Sequence, residues 1–123
     1  MPPKKIAALV GRAAVLAALA ADASRNDTAT AVRYLLQLLA EHAEGNTVEV
    51  RVPPFGAVQA IQGPRHTRGT PPNVIETDAA TWIALATGTL TWADAMASGS
   101  VSASGQRADL GGYLPVSWET IDE

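Results

Sequence analysis

Side chains able to bind or react converge most tightly in Gly63-Pro64-Arg65-His66-Thr67-Arg68-Gly69-Thr70-Pro71-Pro72-Asn73, where two arginines and a histidine share a stretch stiffened by prolines. A guanidinium offers a planar fork to a carboxylate or phosphate, and neighbouring glycines let backbone come close to a ligand. Arg65, His66, Arg68 and Asn73 are therefore the candidates for holding an anionic head group. The plainer alternative is a solvated connection whose arginines pair with Glu49 or Glu76, since charged loops are usually surface.

Catalytic signatures are missing from the rest of the chain. No GxGxxG, Walker A, HExxH or GxSxG motif occurs. The absence of cysteine removes disulfide scaffolds, zinc knuckles, iron–sulfur sites and thiol nucleophiles together. His42 and His66 are the only histidines, too few for a multi-histidine metal centre in one chain. Ser98, Ser100, Ser102 and Ser104 alternate as the polar side of a strand and a helix stop do. A Ser–His relay would need an orienting group and an oxyanion hole, and no residue pattern supplies them. Glu49 and Glu76 would have to be brought together by a sheet to do acid–base work, and exposed strand charges are the commoner case. The expectation is a protein without catalytic residues, resident metal or cofactor. A net charge of −3 also speaks against a nucleic-acid partner.

The elements that position these residues follow from periodicity. Residues 6–21 are rich in helix formers, with Gly11 the weak point. Lys4 and Lys5 before an apolar stretch resemble a secretion signal, but Arg12 interrupts it and alanine dominates it, so an amphipathic helix and a cytoplasmic location are expected. A second helix is predicted from a cap at Asn26 or Asp27 to Gly45. Its apolar stripe is Val32, Leu35, Leu36 and Leu39, with Arg33, Gln37, Glu41, His42 and Glu44 on the polar side. Residues 47–52 then alternate strictly, placing Val48, Val50 and Val52 on one face. Pro53-Pro54-Phe55-Gly56 is a turn, residues 57–62 a hairpin partner, and residues 70–76 a third strand. Asp78 caps a helix that Gly88 ends, and Thr91 with Asp94 caps a short helix stopped by Gly99. A strand over 100–104 and a helical turn over 109–114 follow, and the acidic tail over 117–123 is expected to be loose unless Trp118 docks. Hairpin-linked strands beside grouped helices predict an α+β domain with helices on one face of a mostly antiparallel sheet.

A chain of 123 residues with 47% hydrophobic residues can bury one proper core. Trp82, Leu85, Trp92 and Met96 are predicted to face the sheet, either filling that core or lining a hollow in it. With Val50, Val52 and Phe55 they are the candidates for an apolar lining.

The stretch over residues 77–105 resembles the core of the sterol carrier protein family, and specifically its bacterial orthologue group. The resemblance rests on a helix with large apolar residues ending at Gly88, a short helix with Ala95 and Gly99, and a strand ending at Gly105. Residues 48–58 and 63–76 extend the similarity, so that it covers roughly residues 30–115. It implies a sheet of about five strands covered on one face by helices, with an apolar tunnel between the layers. It also implies non-catalytic binding or transfer of a lipid, fatty acyl chain or sterol, in one domain with helices over 4–44 and a core over 47–115. Such a carrier is compatible with transient membrane contact and with self-association. One departure stands out: residues 107–114 read as turn and helix where the family has a last strand. Two alternatives remain at this point, a relative of the accessory C-terminal domain of thiol-dependent maleylpyruvate isomerases and an interaction module with a solid core.

Overall fold

Alternation over residues 47–52 becomes strand β1 (Val48–Val52), with Val48, Val50 and Val52 fully buried and Arg51 exposed. The computed structural model describes residues 5–63 and 72–120. Within them β1 pairs antiparallel with β2 (Gly56–Ala60) through the Pro53–Phe55 turn and parallel with β3 (Asn73–Thr77). β3 pairs antiparallel with β4 (Val101–Ser104), giving the order β2-β1-β3-β4. The α+β class and the mainly antiparallel pairing are as predicted. The sheet has four strands among the described residues rather than about five, because residues 107–114 form turns, closed for instance by the Tyr113 amide on the Leu110 carbonyl at 3.0 Å.

Among the described residues four helices accompany the sheet: α1 (Ala8–Ala18), α2 (Arg25–His42), α3 (Ala79–Thr87) and α4 (Trp92–Ser98). Asp78 and Thr91 cap α3 and α4 as expected, accepting the amides of Thr81 at 2.8 Å and Asp94 at 3.1 Å. Both helices end on left-handed glycines, Gly88 and Gly99, a backbone conformation that glycine adopts without steric cost. The start of α2 differs from the prediction. Ser24 is its cap, accepting the Asp27 amide at 3.0 Å, which leaves Asp27 in the first turn where a carboxylate suits the helix dipole. The helix also stops at His42, before Gly45. Gly45 serves a different end: a Cβ there would strike the Ile61 carbonyl, so two backbone segments can meet only over a glycine.

The core joins both layers. Val32, Leu35, Leu36 and Leu39 of α2 pack with Val48, Val50, Val52, Ile75, Trp82 and Leu85, all essentially without solvent contact. Trp82 also donates its indole N–H to the Val32 carbonyl at 3.3 Å, fastening α3 to α2. Past β4, Leu110, Val116 and Trp118 enter the same cluster, and the Val116 amide donates to Ala86 O at 3.0 Å. Trp118 is only 7% exposed, so the start of the tail is docked. Met96, expected to face the sheet, is 42% exposed, because Ala95 is the α4 residue turned inward.

Replacing Trp82 by alanine removes a large core side chain and its hydrogen bond, and should cost about 3–5 kcal/mol in urea unfolding. Gly11→Ala gives a sharper test of packing. In an open helix that change gains up to about 1 kcal/mol. Here the added Cβ lands on the Tyr34 ring, so the midpoint should fall instead of rise.

Candidate functional site

A large cleft lies at the edge of the fold, where α2 meets the hairpin. It encloses about 1050 Å³ and is bounded by the start of α1, the outer side of α2 and the β1–β2 hairpin. Its apolar wall includes Ile6, Val10, Leu36, Phe55 and Val58, and its polar residues include Arg33, Gln37, Glu41 and Glu44. The side of α2 that periodicity assigns to solvent is therefore the floor of a groove. Leu36 belongs to both the core and the cleft.

Two flanks raise the walls. On one, the strap of residues 5–7 is clamped by Gln37, whose Oε1 accepts the Ile6 amide at 2.9 Å while Nε2 donates to the Ile6 carbonyl at 3.1 Å. Lys5 Nζ adds an ion pair to Glu41 at 2.7 Å. That hydrogen bond and charge hold the Lys5 ammonium above its ordinary pKa, but with 79% and 39% of the two side chains exposed the pair adds little stability. On the other flank, Arg33 Nε donates to the Phe55 carbonyl at 2.9 Å, and the Arg25 guanidinium lies 5.1 Å from the centroid of the Phe55 ring. Against Gly11 of α1, burial and then the Glu41 charge raise the Tyr34 phenol above its ordinary value. The neutral phenol is thus favoured by the fold, a contribution complete below about pH 10 and lost as pH rises through the raised value.

The structure separates the residues singled out from sequence. Val50, Val52, Trp82 and Leu85 are buried in the core cluster and do not line the cleft. Leu85 also borders a smaller recess of about 370 Å³ with Leu90, Trp92 and Leu114. Phe55 alone of the apolar candidates reaches the large cleft. Asn73 has structural work at both ends of its amide: Nδ2 donates to the Thr47 carbonyl at 3.1 Å and Oδ1 accepts the Arg107 amide at 2.9 Å. Arg65, His66 and Arg68 lie outside the described residues. Sequence reasoning missed Ile6, Val10, Arg33, Gln37 and Val58. The available signal was α2 itself, which carries a glutamine at the centre of its polar stripe opposite an alanine-rich helix with leucines on several sides.

No cluster of histidine, aspartate and glutamate able to hold a metal occurs among the described residues. No helix among them is long and apolar enough to cross a membrane.

A family model described as bacterial SCP ortholog matches residues 24–116, well over half of the chain. The chain belongs to this sterol carrier protein family. Membership points in general to lipid binding or transfer by a carrier domain. No curated protein matches the sequence. The matched stretch starts at the Ser24 cap and ends at Val116, whose amide donates to the Ala86 carbonyl of α3, so α2 and the hairpin side of the cleft fall inside it and α1 with its strap falls outside.

Gln37→Ala deletes both hydrogen bonds that clamp the strap while leaving the α2 core face intact. Hydrogen exchange at the Ile6 amide should accelerate roughly tenfold or more, with the core amides of β1 unchanged.

Proposed function

We propose that this protein is a non-catalytic carrier that binds a lipid, fatty acyl chain or sterol in the cleft between α1, α2 and the β1–β2 hairpin. The observation that supports this most is an apolar-walled groove of about 1050 Å³ in a member of the sterol carrier protein family. Pockets for drug-sized ligands run from roughly 300 to 1,000 Å³, so the groove suits a ligand at or above that range. The recess beside Trp92, at about 370 Å³, suits a far smaller one. Val50, Val52 and Trp82 are buried in the core cluster and do not line the cleft, which favours binding at the edge of the fold.

A carrier must meet the surface from which it takes its ligand. Leu9, Val10, Leu16 and Leu19 leave α1 with exposed apolar side chains, Leu9 at 71%, and Val10 belongs to the cleft wall as well. Transient contact of α1 with a membrane would place the cleft next to the lipid. Such a cycle fits a protein that works in the cytoplasm.

Amide-resolved NMR during titration with saturated fatty acids tests the reading. Ile6, Ala57 and Val58 should shift, and residues 90–93 should not. Affinity should climb by up to about fourfold per added methylene, the equivalent of ~0.8 kcal/mol. Shifts confined to residues 90–93 would move the ligand to the smaller recess. A protein that ignores every member of the series is not a carrier of acyl chains.

A further inference from the structure

We infer that Arg33 selects the head group of the bound ligand, and that the cleft prefers a single-chain amphiphile ending in a carboxylate over its neutral alcohol. The inference rests on the cleft being the lipid site and adds to it the chemical class of the ligand.

Charge in the cleft is unevenly neutralised. Among the described residues the cations that line it are Lys5 and Arg33, and Lys5 is already paired with Glu41. Arg33 has no carboxylate partner among the described residues. Its one recorded hydrogen bond uses Nε, which donates to Phe55 O. That bond steadies the guanidinium against the hairpin and leaves the two terminal amino groups uncommitted. These form the end-on edge of the fork, the geometry that grips both oxygens of a carboxylate.

Position along α2 adds direction. Arg25 precedes Arg33 by two helical turns or so and stands over the Phe55 ring, so a second positive charge sits at the hairpin end of the groove. Glu41 and Glu44 line the other end, roughly 12 to 16 Å from Arg33 along the helix at 1.5 Å per residue. Leu36 and Ala40 lie between on the floor, with Val58 in the hairpin wall. With Glu41 neutralised by Lys5, Glu44 is the carboxylate left to repel an anionic head at that end, while Arg33 and Arg25 attract it at the other and the middle accepts a hydrocarbon chain. Apolar burial alone would not distinguish an acid from an alcohol of equal length, whereas a hydrogen bond to a charged group does.

Calorimetric titration with dodecanoic acid and with dodecanol, at a pH where the acid is ionised, tests the inference. The natural protein should bind the acid about tenfold or more tightly. Arg33→Gln should bring the acid down to the level of the alcohol and leave the alcohol unchanged, and added salt should narrow the gap because Arg33 is exposed. Equal affinity of the natural protein for both ligands, with the cleft amides shifting, overturns the head-group inference and leaves the cleft reading standing. Failure of both ligands to bind overturns both. Should Arg33→Gln weaken acid and alcohol alike, the decision passes to Arg33→Lys, which keeps the charge without the fork. A selective loss for the acid then supports the inference, and an equal loss for both makes Arg33 a support of the hairpin only.

Discussion

Helix α2 has to satisfy two neighbours with one set of side chains, and the rest of the molecule is arranged around that division. Its stripe of Val32, Leu35, Leu36 and Leu39 is stripped of solvent against the valines of β1 and against Trp82. Each such side chain contributes on the order of 1.5–3 kcal/mol by burial, far more than any surface ion pair in the chain. The stripe therefore fixes the rotation of α2. Once that rotation is set, Arg33, Gln37 and Glu41 must point to the opposite side. The polar part of the cleft floor is a by-product of core packing, and Leu36 is the residue that serves both.

The same stripe joins the two layers. Side chains that face one another there would forgo their mutual contacts if held apart, and Trp82 adds its indole N–H to the Val32 carbonyl at the centre. Packing thins at the hairpin edge. There β2 buries only Ala60 among its residues, and the strap reaches α2 through the Gln37 hydrogen bonds together with the partly buried Ile6 side chain.

Much of the fold was legible in residue order. Alternating valines, the Asp78 and Thr91 caps and the glycines at 88 and 99 are local signals, and each acts where local chemistry decides. The start of α2 was misread because Ser24, Asn26 and Asp27 are all competent caps, and only the path of the chain chooses among them. The cleft was illegible for another reason. A polar stripe on a helix looks the same whether water or a neighbouring segment faces it, and the Gln37–Ile6 pairing joins residues far apart in sequence. The hydrogen bonds of Asn73 were illegible for the same reason, since its amide meets backbone at Thr47 and Arg107, both distant in sequence.

The position of α1 has a consequence for how such a molecule can change. The helix closes the cleft, yet it lies outside the stretch shared with the family and touches the core mainly through α2, with Gly11 lying against the Tyr34 ring. Such a wall has one side free to vary and one side that is not. Substitutions at its cleft-facing positions, Val10 among them, would reshape the groove, whereas Ala14 and Val15 on its inner side are committed to the hydrophobic interior. The shape of the groove can therefore drift only within limits that the opposite side of the same helix imposes.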